Sequence, residues 1–462
     1  MDPRDAERSL KAINNAIHEV YSHKPTTRSI HDLCSKASRL VQNKFGQKLY
    51  SGIVSTMASH LKQMTTSIEK VSPDVPLFLE ELIKKWMEHD KAFQILRPVF
   101  MCMDGTCSPS THKAHAQELG ATLWVDNVIC SSNIKGDLKF AVMEMVQAER
   151  EGEGINRDLM KNLAKMLMDF GHSVYQEMFE QPFIMISTNL YTPESEELMN
   201  NYDCEYYLKI TERRLNEEIE RVSDYLDVKH DFAAKSIAKI INVLENIMIE
   251  THMDTLVRSG LVRMIEHDKY DDLARMYNLF RRVPEGINKI FNVMNSHFGK
   301  TVTELATHPE RIEDPIDCVQ NILDEKEKRD KIINLSFNDD LKIQKLMDHW
   351  FKGCINAPHV AEFISEFVDD KLRKGANGYD VEIVLNKVMV LIRLLFPGRK
   401  VLFESHYKQH MRERFLSGIG RYVPAYAEIS MIEKLKKEFS HQFTSELEAM
   451  LSDAKKGIIT HG

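Results

Sequence analysis

The chain has 462 residues, with 61 Lys and Arg against 69 Asp and Glu and a net charge of −8 at pH 7. That is room for about three domains, enough to bury a core without disulfide or metal staples. The mild acidity argues against a nucleic-acid binder built on bulk positive charge. Only 19 glycines and 14 prolines, beside 24 methionines, point to helices rather than a turn-rich β-sandwich.

The cysteines (Cys34, Cys102, Cys107, Cys130, Cys204, Cys318 and Cys354) are odd in number and form no CxxC pair. That speaks against a disulfide framework and a zinc ribbon. The opening MDPRDAERSL has no apolar run, so no signal peptide is expected. The most apolar stretch, residues 388–396, carries Arg393 and falls far short of the roughly 20 residues of a membrane span. These features predict a chain of the cytoplasm and nucleus with no membrane and no nucleic-acid partner.

In chain order, Leu82, Trp86, His89, Phe93, Leu96, Phe100 and Met103 recur at alternating spacings of four and three. They therefore share one face of a long helix. Pro98 stands inside that stripe and is expected to kink or break it. Ile155, Leu159, Leu163 and Leu167 repeat every four residues until Gly171. Leu208, Leu215, Ile219, Val222 and Leu226 mark another helix, on whose outer side Glu217 can pair with Arg221. Val319, Ile322 and Leu323 mark a further one, with Glu325/Arg329 and Glu327/Lys331 as solvated pairs. Turn signals fall at Ser72-Pro73-Asp74, Gly152 to Gly154, Thr192-Pro193, His308-Pro309, Gly375 to Gly378, Pro397-Gly398 and Gly418 to Gly420. No stretch of strict alternation is long enough for a strand. The pattern predicts an α-solenoid or a stack of helical bundles.

No catalytic or metal-binding constellation emerges. Gly299-Lys300-Thr301 ends like a P-loop, but Met294 stands where the earlier glycine is required. Gly152-Glu153-Gly154 lacks the third glycine of a dinucleotide fingerprint. His406 and His410 lie one helical turn apart, yet Tyr407-Lys408-Gln409 between them offers no catalytic Glu, so they read as surface histidines. Glu80-Glu81 and Asp369-Asp370 read as solvated faces. No nucleophile and base can be paired from spacing. The expectation is a non-enzymatic chain with no catalytic residue, no metal ligand and no cofactor.

Longer motifs carry a resemblance. They begin with Phe78-Leu79-Glu80-Glu81-Leu82 through Trp86 and His89, and Met101-Cys102-Met103-Asp104. Glu149-Arg150-Glu151-Gly152-Glu153 followed by Ile155 looks like an ERxGExI turn. YQEMFEQPF at 175–183 looks like YxxxFExPF. YYLKITERRLNEEIERVSDYLD follows at 206–227, then Ser259-Gly260-Leu261-Val262 and YDDLARMYNLFRRVP at 270–284. FVDDKLRKG at 367–375, YKQHMRERFLSG at 407–418, and Gln442-Phe443-Thr444-Ser445 with Leu447 complete the series. Over residues 6–455 the chain resembles the cullins, above all the cullin-3 type in its plant form.

The resemblance implies an all-α fold: an elongated stalk of three five-helix cullin repeats at 1–115, 116–240 and 241–362, then a partial helical bundle at 363–462. It implies a non-catalytic scaffold in a ubiquitin ligase complex, serving ubiquitin-dependent protein catabolism. Such a rod positions a substrate adaptor against a ubiquitin-charged enzyme. The partner at the N-terminal end would be a BTB-domain adaptor, packed on a helix that reads SFEELYRNAY in the family. Here the corresponding residues are Ser29, Ile30, His31, Leu33, Cys34, Ala37 and Ser38. Leu33 and Ala37 match, but Phe has become Ile30 and the two Tyr have become Cys34 and Ser38. Aromatic anchors usually dominate interface energetics, so adaptor binding is expected to be weakened, re-specified or lost. WVDNV at 124–128 differs from the family's WRDNV by Val125, and Pro98 replaces an acidic residue.

Cullins of this type run several hundred residues further, through the part that holds a RING-box protein and the neddylation lysine. The expectation is therefore no RING-box partner and no neddylation lysine in this chain, and bundle helices from about 363 whose apolar faces lack partners. The alternative is a degenerate, truncated cullin acting as a competitor or without adaptor binding.

Overall fold

A computed structural model describes residues 2–102, 118–227, 232–308, 313–374, 378–416 and 425–455. Met103, Asp104, Cys107, Pro309, Gly375 and the Gly418 to Gly420 turn lie outside them. Among the described residues every regular element is helical and there is no strand, as the composition and periodicity require.

The chain divides into two compact units: residues 1–200 with 213–248, and residues 201–212 with 249–462. In the first unit α1 (Pro3–Tyr21), α2 (Ile30–Gln42), α3 (Gly46–Glu69) and α4 (Val75–Met101) are followed by α5 (Leu119–Trp124), α6 (Ser132–Arg150), α7 (Arg157–Asp169), α8 (His172–Tyr175) and α9 (Gln181–Asn201). The second half of α10 (Cys204–Tyr225) and α11 (Ala233–Met248) complete it. Local sequence sets many helix starts. Ser29 caps α2, and the Asp74 and Asn156 carboxyl and amide oxygens accept from the Leu77 and Leu159 amides at 3.0 and 3.1 Å. Each satisfies an amide the helix leaves unpaired. The predicted stripe of α4 is buried at Leu82, His89, Phe93, Leu96 and Phe100, with Trp86 half-buried beside them.

The second unit begins with the first half of α10 and continues through α12 (Met253–Leu256), α13 (Val262–Glu266), α14 (Tyr270–Phe280) and α15 (Gly286–Thr307). It ends with α16 (Pro315–Ser336), α17 (Leu341–Ile355), α18 (Val360–Lys374), α19 (Gly378–Leu394), α20 (Pro397–Leu416), α21 (Ala425–Leu435) and α22 (His441–Lys455). Wide π-helical turns occur at 125–129, 176–180 and 257–261: the second lies within the 175–183 motif, and the other two overlap the 124–128 and 259–262 segments. Such turns are rare. At the third, a β-carbon on Gly260 would stand 2.3 Å from the Cys204 sulfur, so only glycine fits. Gly299 also has a packing role, since a β-carbon there would meet the Trp350 ring at 2.9 Å.

Five expectations are corrected. Helix α4 runs unbroken through Pro98. The proline lies in its final turn, where it removes one hydrogen bond while Leu96, Val99 and Phe100 are buried around it. Thr192-Pro193 is no turn: α9 continues through Pro193 to Asn201. Arg221 turns inward to Glu218 and Glu149, while Glu217 pairs with Arg214 at 3.1 Å. Arg329 of the Glu325/Arg329 pair is buried over the Phe298 ring rather than solvated. Asp369 is buried as well, held by Arg373 and Arg414. Each charge lies on the helix face that meets a neighbour, which spacing along one helix cannot reveal.

The helices beyond residue 363 also find partners for their apolar faces. Phe367, Leu385, Leu391, Phe403, Tyr407 and Leu447 are buried in one cluster, although Phe396, Val401 and Tyr426 stay exposed.

Candidate functional site

The seven sequence-selected residues lie on and just before α2, and the fold separates them into three roles. Ser29 is the N-cap, its Oγ accepting from the Asp32 amide at 3.2 Å. Leu33 and Ala37, with Leu40, are fully buried and anchor the helix on α1, α3 and α4. Ile30 and Cys34 rest half-buried against that core, Ser38 is half-buried in line with them, and His31 is exposed. Ile30, Cys34 and Ser38 follow at steps of four, so they form one continuous, partly accessible stripe. Burial and the neighbouring Cys102 thiol push the Cys34 thiol up to about 11, so at neutral pH it is a small, uncharged apolar contact.

A buried polar relay fixes the helices behind this stripe. The Tyr21 hydroxyl of α1 and Nδ1 of His89 on α4 are 2.7 Å apart. His89 Nε2 is 2.9 Å from the Gly120 carbonyl at the start of α5. The carbonyl can only accept, so Nε2 carries the proton and Nδ1 accepts from Tyr21. The Trp86 and Trp124 rings flank the imidazole at 5.7 and 5.5 Å. The sequence placed His89 on the core face but gave no hint of its partners, which are 68 and 31 residues away.

This relay predicts a pH dependence. Burial outweighs the Gly120 bond and nearby Asp90 and pulls the imidazole from 6.5 down to about 4. The unfolded chain then binds the extra proton between those values, so stability rises with pH across that interval. The contribution is complete above about pH 6.5 and falls progressively toward pH 4, by up to roughly 3 kcal/mol. Urea unfolding at several pH values should show this slope, and His89→Gln should flatten it. An unchanged slope in the variant would assign the titration to another group.

Two grooves border the same helices. One, about 650 Å³, lies between α4 and α7, lined by Ile83, Trp86, Met87 and Leu159. Met87 is largely exposed, and the helical stripe passed over it because it falls between the core positions. The other lies between α1 and α2 and is charged. Among the described residues no group of three or more His, Cys, Asp or Glu could hold a metal ion, and no helix is long and apolar enough to cross a membrane.

The profile described as the Cullin alpha solenoid domain matches residues 10–457. The chain is 46% identical to Cullin-3A of Arabidopsis thaliana, over 98% of this chain and 62% of that protein. It is 34% identical to Cullin-3 of Dictyostelium discoideum, over 98% of this chain and 59% of that one. Human Cullin-4A is 29% identical over 98% of this chain and 58% of its own length. The chain thus spans about three fifths of the curated relatives it matches.

Proposed function

Since the chain belongs to the cullin family, we propose that it acts as a non-catalytic scaffold of the ubiquitin–protein ligase system, in the cytoplasm and nucleus, and carries a BTB-domain substrate adaptor on α2. The observation that supports this most directly is the stripe of Ile30, Cys34 and Ser38, partly accessible on a helix that Leu33, Ala37 and Leu40 lock into the core. A docking helix must be rigid, so that binding does not have to order it, and must leave apolar area uncovered. Three five-helix repeats at 1–115, 116–240 and 241–362, followed by a partial helical bundle at 363–462, would give the scaffold its length.

Small residues stand where aromatic anchors do in the resemblance. That favours one second reading: a degenerate cullin that competes weakly for adaptors or binds none. Calorimetric titration of the chain with a panel of BTB-domain proteins separates the two. On the adaptor reading at least one binds below roughly 100 μM. Cys34→Tyr with Ser38→Tyr should then tighten binding by about 1–3 kcal/mol by supplying the absent anchors. No binding below that limit leaves the second reading, and no gain from the tyrosines would show that this face does not meet the adaptor.

A further inference from the structure

The stripe just described occupies one side of α2. Another side of the helix faces α1 across a groove of about 530 Å³, lined by Arg28, Lys36, Arg39 and Asn43 and, from α1, by Asp5 and Arg8. Four cations and one carboxylate thus line a concave surface on a chain whose net charge is −8.

Asp32 sits within the cationic row, 2.7 Å from Lys36 and 3.1 Å from Arg28. These two cations hold its carboxyl below the usual carboxylate range, a sign of locally positive potential. Even with Asp32 counted, positive charge exceeds negative. Arg8 meets Asp5 at 3.6 Å with both side chains largely exposed, a contact of little strength. Among the described residues Arg39 makes no ion pair. Its backbone carbonyl accepts from the Asn43 side-chain amide at 2.8 Å.

We propose that this groove docks a short acidic peptide segment of the adaptor, its carboxylates paired with Arg8 and Arg39. The proposal rests on the adaptor reading above and adds a second contact on the same helix. Guanidinium forks match carboxylates in two-pronged geometry. The trough between two helices accepts an extended chain, whereas a membrane surface would contact only its rims. Opposite charge also orients the approach of a partner before the apolar stripe closes.

The test uses the whole chain and a fluorescein-labelled seven-residue peptide of Glu and Asp, with its Gln and Asn counterpart as control, read by fluorescence anisotropy. The acidic peptide should bind at least about tenfold more tightly than the control and weaken as salt rises from about 50 to about 300 mM. Arg8→Glu with Arg39→Glu should lower its affinity by about tenfold or more. Arg8→Gln with Arg39→Gln should do so in smaller measure and serves if charge reversal disturbs folding.

Equal binding of the two peptides, or affinity unmoved by both double variants, overturns the proposal. So does co-sedimentation with phosphatidylserine-containing vesicles when the peptide fails to bind. Peptide binding without any BTB domain bound supports the groove and removes only the adaptor as its source. BTB binding without peptide binding defeats the groove alone.

Discussion

Glu218→Ala is expected to lower the free energy of unfolding by about 3–5 kcal/mol, the scale for breaking a buried ion pair from one side. Glu218 is fully buried. It accepts two bonds from Arg150, from Nε and Nη2, both at 2.9 Å. It also accepts from Arg221 and from the Tyr191 hydroxyl, the latter at 2.7 Å. Arg150 reaches Ser187 at 2.6 Å and lies over the Phe183 and Tyr191 rings at 5.4 and 5.1 Å. Burial opposes ionisation of Glu218, but the Arg150 and Arg221 guanidiniums outweigh it and hold the carboxyl below its ordinary value.

The alanine variant removes that carboxylate and leaves Arg150 charged in a dry interior. Arg221 is less affected because Glu149 remains 3.3 Å away. Urea unfolding at neutral pH reads the loss. Glu218→Leu combined with Arg150→Met should recover most of it, because an apolar pair removes the orphaned charge along with its partner. A loss below about 1 kcal/mol in the single variant would mean that water reaches the site and solvates Arg150. Since the folded carboxyl titrates below the unfolded one, the stabilisation is present at neutral pH. It declines as pH falls through the acidic range below the ordinary glutamate value.

Arg414→Ala should cost the second unit a similar amount, about 3–5 kcal/mol. Its guanidinium is fully buried and ties three helices together: Asp369 of α18, its own α20, and Glu428 of α21 at 2.8 Å. The Tyr407 ring lies 5.7 Å from it. Burial disfavours the cation, but Glu428, Tyr407 and Asp369 outweigh that effect and raise its affinity for the proton. Asp369 keeps Arg373 at 2.5 Å after the substitution, so the unpaired group is Glu428. Arg414→Lys retains the charge without the fork and should cost less, while Glu428→Leu added to Arg414→Met should restore stability. Hydrogen exchange provides the check: amides of α18, α20 and α21 should lose protection together. Loss confined to α20 would show that the three helices are not coupled through this residue.

Much of this architecture is legible in the chain. The stripe from Leu82 to Phe100 and the repeats from Leu159 to Leu167 and Leu208 to Leu226 mark helices that exist. Ser72-Pro73-Asp74 and Pro397-Gly398 mark real helix boundaries. The motifs that carry the cullin resemblance contain Glu149, Arg150, Glu218 and Arg221, but as words only. That these four residues form one buried network follows from folding residues 68 apart onto each other. The adaptor-face residues were found through the resemblance. Which of them are accessible was not readable, because Leu33 and Ile30 are both apolar and only the neighbouring helices bury one more completely than the other.

The sequence alone determined that the chain is helical, where many of the helices begin, which side of each is apolar, and which family it joins. Those properties depend on local backbone preference and on residue periodicity, which a linear chain carries in full. The tertiary structure alone decided the fate of the charges. Arg221, Arg329 and Asp369 could have faced water. They are buried because helices remote in sequence pack over them and supply opposite charges or aromatic rings. It likewise brought Arg8 opposite Arg39, some thirty residues along the chain, and so made a basic groove on a protein whose overall charge is negative. Local patterns record the preference of one helix; the cost or gain of burying a charge depends on what the rest of the chain places beside it.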